Sequence, residues 1–278
     1  MLFATTELAR EIEAAEAALV AACTRAAARR RPAIDALLRP LAGGLVALTE
    51  AGSPLNKLVG LGFGGLPDER ELLELERAFD ARGVPVQVEL ASLADPELLR
   101  WFSRRGYIAM GSENVLGLEL RSLRDLEPRP VEVRVALSSE IDLWSRVLID
   151  GFAAPDTQGV ATHEEFPREV LERVLLDVAA TEQLVRYLGV QGERVVGAGA
   201  FRRTGRFAQL TGAATLREAR RRGVQTALLE VRLHDARSRG AELALVVTQP
   251  GSKSQQNLQR RDFELLYTRV ILVRDPRG

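Results

Sequence analysis

The sequence is poor in the residues that build several common kinds of site. A single cysteine among 278 residues, Cys23, excludes an internal disulfide and a multi-cysteine zinc site. Two histidines, His163 and His234, without an H-E-x-x-H spacing, offer neither a catalytic zinc nor a Cys-His nucleophile. No metal is therefore expected. Charge of one sign is also missing: 38 basic residues balance 38 acidic ones. That removes the broad positive field of a nucleic-acid binder, so any anion site must be local. No run is long and apolar enough for a membrane helix, and no membrane partner is expected. Leu19 to Cys23 imitates a lipoprotein cleavage box, but Glu11, Glu13 and Glu16 stand where an apolar signal core would lie. The segment reads instead as an Ala-rich helix over 6–31, with Cys23 as a small apolar residue on it. The lone thiol suits a reducing compartment, and the expectation is a cytoplasmic protein.

What is present is a regular alternation of helices and strands. Apolar periodicity predicts strands over 37–41, 44–49 and 57–62, a helix over 68–82, a strand over 84–90, a helix over 95–105 and a strand over 107–120. Charge and two prolines mark 123–130 as a linker, which separates lobes 1–122 and 131–278. The second lobe predicts a strand over 131–136 and helices over 140–152 and 164–180. Strands over 183–190, 194–202 and 206–216 follow, then a long helix over 221–238. A strand over 242–248, a short helix over 252–261 and a strand over 263–273 end it, the pattern of an α/β sheet protein.

The lobes resemble each other. FDARGVPVQVELASLADPELLRWFSRRGY (79–107) aligns with HDARSRGAELALVVTQPGSKSQQNLQRRDF (234–263), their Asp-Ala-Arg triplets 155 residues apart. This reads as a tandem repeat of one fold. It also allows the turn from a strand into the longest helix to be compared in both lobes. In the first, Gly60, Gly62 and Gly65 spell a G-x-G-x-x-G, but the helix opens on Asp68, Glu69 and Glu71, which cap its free N–H groups and repel a pyrophosphate. Structural glycines are the better reading there than a dinucleotide loop. In the second, Arg220, Arg221 and Arg222 precede Gly223, and no acid follows until Glu230. Free N–H groups from Gly223 to Thr226 beside three guanidinium groups make an anion cradle.

Arg220-Arg-Arg-Gly223-Val-Gln225 resembles the coenzyme A pyrophosphate motif of the GNAT superfamily of N-acetyltransferases, Q/R-x-x-G-x-G/A. The order of elements over 131–273 is similar to that fold, and the first half is similar to a degenerate copy. The resemblance implies two tandem GNAT-like lobes, each a mixed, mostly antiparallel sheet flanked by helices. It implies acetyl-coenzyme A as cosubstrate, held by Thr215, Leu216, Arg220, Arg221, Arg222, Gly223, Val224, Gln225, Thr226 and Ser252. Two positions depart from the pattern: Gln225 replaces Gly or Ala, and Leu258 and Asp262 stand where many members have an acidic tyrosine and a glycine.

The implied reaction is direct attack of an amine on the thioester, which needs the amine deprotonated, the carbonyl oxygen stabilised and the leaving thiolate protonated. With the usual tyrosine absent, Tyr267 on the last strand is the candidate acid, and Glu165, beside Glu164, is the candidate base. A non-catalytic acyl-coenzyme A sensor is the alternative. The acceptor is a small-molecule or peptide amine of unspecified identity, and the oligomeric expectation is a monomer, with a homodimer as the alternative.

Overall fold

The computed structural model describes residues 2–123, 131–154, 158–160 and 166–276. The N-terminal half runs α1 (Thr6–Arg30), β1 (Leu37–Leu41), β2 (Gly44–Leu48), β3 (Lys57–Val59), α2 (Glu69–Asp80), β4 (Val86–Ala91), α3 (Pro96–Arg104) and β5 (Ile108–Glu119). The C-terminal half runs β6 (Glu132–Val135), α4 (Ile141–Phe152), α5 (Arg168–Ala179), β7 (Leu184–Gln191), β8 (Arg194–Thr204) and β9 (Phe207–Thr215). It continues with α6 (Val224–Ser238), β10 (Leu243–Thr248), α7 (Lys253–Gln259) and β11 (Glu264–Arg274).

Each half repeats one design. A strand, a helix and a parallel strand form the only parallel steps among the described residues, β3-α2-β4 and β9-α6-β10; every other neighbour pairs antiparallel. The fold is thus the expected mixed, mostly antiparallel sheet flanked by helices. The two halves are joined more closely than a linker implies. All eleven strands lie in one sheet, in the order β1-β2-β3-β4-β11-β5-β10-β9-β8-β7-β6. The last strand of each half has crossed over: β11 pairs with β4 of the first half, and β5 pairs with β10 of the second. Strand patterning cannot show this exchange, because alternation along a strand marks which face is buried and not which strand lies beside it.

Helix α1 binds the halves together. Thr5 caps it by accepting from Leu8 N–H at 3.1 Å, a bond of the kind worth about 1 kcal/mol. Val20 and Ala17 pack with Ala47 of β2 and Val59 of β3, while Glu11 accepts from Arg206 of the second half at 2.8 Å. At its other end Arg30 and Arg31 converge on Asp177 of α5, whose carboxylate is fully buried. The charged end of α1 is therefore a tie between the halves. On the opposite face of the sheet α6 lies against β7 and β8. Buried Arg232 donates to Ala200 O at 3.0 Å, and Val224 packs on Gly197, where an added Cβ would come within 2.6 Å. Glycine at 197 therefore sets how near the start of α6 comes to the sheet.

Candidate functional site

Strands β9 and β10 pair only over Phe207–Gln209 and Leu243–Leu245. Beyond that point they part, leaving a slot at their carboxyl ends, the place where open α/β sheets bind ligands. Thr215 and Thr248, the last residues of the two strands, each bury an Oγ1 that has no hydrogen-bond partner. A buried hydroxyl left unpaired costs about 1–3 kcal/mol, so two of them at one slot point to a polar ligand. Strand β9 also carries a bulge here: Gly212 and Ala213 stand opposite the single Gly199 of β8. The bulge takes their backbone groups out of the regular ladder beside the slot.

At the mouth of the slot the chain winds into α6. The sequence predicts this helix from 221, but it starts at Val224, because Arg221 (φ 63°) and Gly223 (φ 80°) both adopt the left-handed conformation. Such a φ is uncommon for arginine and free of strain for glycine. No side chain caps the helix, its first turn holds no acid, and the N–H groups from Arg221 to Thr226 donate to no described residue. A Cβ added to Gly223 would meet nothing within 4 Å. The result is an open row of N–H groups at the positive end of the helix dipole.

The residues named from the sequence divide into three groups. Arg221 and Arg222 are exposed beside the cradle and form no ion pair with a described residue. Arg220 turns inward and donates to Thr215 O at 3.4 Å, to Gly151 O at 3.2 Å and to Ala154 O. It thereby fastens the end of α4 to the cradle. Val224 is buried and Leu216 partly buried, and Ser252 caps α7 by accepting from Gln255 N–H at 3.2 Å. Thr226 accepts from Arg261 at 3.4 Å. Gln225, the departure from the motif, accepts from Asn257 of α7 at 2.9 Å, which turns its side chain aside and leaves its N–H open.

Three features were missed in the sequence. Thr248 was read only as the end of a strand. Asn114, on the exchanged β5, pairs in register with Thr248 and donates to Gln255 of α7 at 3.2 Å, so the first half contributes to one wall. The α4–α5 connection leans on the turn before α7 through Val160 N–H to Pro250 O at 3.1 Å and Gln158 to Gly251 O at 3.3 Å. Only the register and the loop contacts reveal these, and a linear pattern carries no signal for them.

The corresponding slot of the first half is closed. Gly62 O accepts from Asp95 N–H at 3.0 Å, and a Cβ at Gly62 would lie 2.3 Å from that of Ala94. Asp68 caps α2 by accepting from Arg70 and Glu71 N–H at 2.9 and 3.0 Å. Glu89 forms an ion pair with Lys57 and faces Arg269 at 3.8 Å. The G-x-G-x-x-G glycines let backbone approach backbone, and the acids consume the donors that a phosphate would need.

Tyr267 is the clearest correction. Its hydroxyl donates to Glu13 at 2.7 Å inside the core of the first half, where β11 carries it, and burial pushes its phenol far above the usual range. Around it Arg269, 1% exposed, holds Glu13 at 2.8 Å, with Glu16, Glu89 and Glu113 at 3.8 to 4.0 Å. Burial, reinforced by Glu89, raises the Glu113 carboxyl to about 7. Leu258 is buried against α6 and supplies no acid either. Glu165, with Glu164, lies outside the described residues. Among the described residues no group of three His, Cys, Asp or Glu could hold a metal, and no helix is long and apolar enough to cross a membrane.

Residues 153–263 match the model of the acetyltransferase (GNAT) family. No curated protein matches the sequence. Among solved structures, the chain is similar to a GCN5-related N-acetyltransferase from Kribbella flavida (20% identity over 92% of this chain and 96% of that one, TM-score 0.61). It is similar to a functionally unknown conserved protein from Staphylococcus epidermidis (12% identity, 88% and 96% covered, TM-score 0.61). A tandem GNAT protein from the clavulanic acid biosynthesis pathway aligns at 11% identity over 84% of this chain and 79% of that one, again with TM-score 0.61. At these identities the likeness establishes the fold, and the family match covers the strands, cradle and helix that form the slot. The acetyltransferase (GNAT) match is thus confined to residues 153–263, in a chain whose overall fold is similar to that of a tandem GNAT protein.

Proposed function

We propose that the chain transfers an acetyl group from acetyl-coenzyme A to an amine, using the C-terminal slot alone. The observation that carries this reading is the uncapped start of α6, an open row of N–H groups from Arg221 to Thr226, set at the mouth of a slot walled by two unpartnered hydroxyls. These residues fit coenzyme A: the cradle would hold the pyrophosphate, aided by Arg221 and Arg222, and Thr215 and Thr248 would meet polar groups of the pantetheine arm. When bound, the coenzyme supplies an activated acyl group.

The chain's own part is positioning and polarisation. Holding an amine against a thioester converts a bimolecular reaction into an effectively unimolecular one, worth as much as about 7–11 kcal/mol of barrier. The bulge at Gly212 and Ala213 offers backbone N–H groups outside the ladder to a developing oxyanion. Arg220 keeps the end of α4 beside the slot, so α4, residues 158–160 and the turn at Pro250 to Ser252 would border the acceptor.

A second reading, a sensor that binds acyl-coenzyme A without turnover, is favoured by one observation: neither Leu258 nor Tyr267 presents an acid to the slot. Release of free thiol from acetyl-coenzyme A with a panel of primary amines separates the two. Steady release that depends on the amine supports transfer; binding without release by any amine supports the sensor.

A further inference from the structure

Away from the slot, on the α1 side of the sheet, a cleft of about 430 Å³ opens between the two halves, within the size range of small-molecule sites. Four alanines of α1, at 17, 18, 21 and 22, line its floor with Leu45 of β2. Its charges do not cancel. Arg25 and Arg29 of α1 and Arg202 of β8 face Glu182 as the one acid in the lining.

None of these arginines forms an ion pair with a described residue. Arg25 and Arg29 are one turn apart on the same side of α1, where like charges repel. Arg202 comes from the other half. Its Nη1 donates to the Thr204 hydroxyl, yet its Nε is buried without a partner, and burial holds its pKa below the usual guanidinium range. One cleft is thus lined by three arginines from two halves, two of them exposed and the third with an orphaned buried donor. A guanidinium fork matches the two oxygens of a carboxylate, and the alanine floor offers methyl contacts that a bare ion cannot use.

We propose that this cleft binds a small organic carboxylate, its apolar body on the alanines of α1 and its carboxylate between Arg25, Arg29 and Arg202. Because the ligand bridges α1 and β8, it stabilises the packing of the halves by binding only the folded chain. The site is separate from the coenzyme cradle, which lies at the start of α6 on the other face.

The test is calorimetric titration of the full chain with octanoate, with octylamine and inorganic phosphate as comparisons. One octanoate site is expected, weakened about tenfold or more in the Arg25→Glu, Arg29→Glu variant, as expected for lost charge-assisted bonds. Arg202→Lys, which keeps the charge and loses the fork, weakens it as well. Acetyl-coenzyme A does not displace octanoate. The proposal is overturned by absence of an octanoate site, by unchanged affinity in both variants, or by displacement with acetyl-coenzyme A, which would put octanoate in the slot. Phosphate binding with the same arginine dependence would show recognition of charge alone and overturn the carboxylate assignment.

Discussion

The Tyr267 hydroxyl donates to Glu13 at 2.7 Å, joining the last strand of the chain to its first helix in the buried core of the first half. The last phenol of the chain is thus committed to holding the molecule together. Tyr267→Phe is expected to leave Glu13 with one partner fewer and to destabilise the protein by about 1–2 kcal/mol. Turnover per folded molecule should change less than about twofold. Urea unfolding and thiol release, measured on the same preparation, check both parts.

Glu113 gives the protein a predictable response to pH. Its folded-state pKa, about 7, lies above the ordinary carboxylate value of 4.5, so between these values the folded chain holds a proton that the unfolded chain has lost. That contribution to stability is fully present below about pH 4.5 and disappears as pH rises through about 7. Glu89 and Glu16 push the Glu113 carboxyl further up, while Lys57 and Arg269 pull it down. Glu113→Gln should therefore be more stable than the parent at pH 8, by on the order of 2 kcal/mol, with no difference at pH 4.5. Equal Tm differences at the two pH values would contradict this assignment.

Cys23 is 1% exposed, and burial raises its thiol to about 12. The thiolate is the reactive species, so a disulfide reagent at pH 8 should label the native chain only as fast as it opens. One equivalent should react at once in denaturant. Rapid labelling of the native chain would mean that α1 is far less tightly packed than described. The same property leaves a thiol-detecting assay of coenzyme release free of background.

Gly197 controls the approach of α6 to the sheet, since a Cβ there would lie 2.6 Å from Val224 and 3.0 Å from Leu228. Gly197→Ala is expected to push the start of the helix outward, costing about 1–3 kcal/mol of stability as overpacking does. Acetyl-coenzyme A binding should weaken as well, because the cradle is the first turn of that helix. A variant with lowered Tm and unchanged affinity would show that the cradle does not depend on this contact.

The order of elements was legible in the sequence because each segment carries its own period: β7 to β11 and α4 to α7 start and stop close to where apolar spacing places them. The repeat of Asp-Ala-Arg at 80 and 235 correctly equated β4 with β10 and α3 with α7. The exchange of β5 and β11 was hidden, since alternation along a strand marks its buried face and not its neighbour. That exchange is why Tyr267 was misplaced: its position beside the slot follows only if β11 stays in its own half. The cradle at Gly223 was readable from the absence of acids after it. Thr248 and Asn114 acquire meaning only from register, which pairs them across the exchanged strand.

The most direct test of the central claim is isothermal titration of the full chain with acetyl-coenzyme A, with NAD and the Arg221→Glu, Arg222→Glu variant as controls. One site per chain, lost in the variant and not seen with NAD, is the predicted result, because the first half has closed its slot with Gly62, Ala94 and the Asp68 cap. Two coenzyme sites per chain, or binding of NAD in place of the coenzyme, would contradict it.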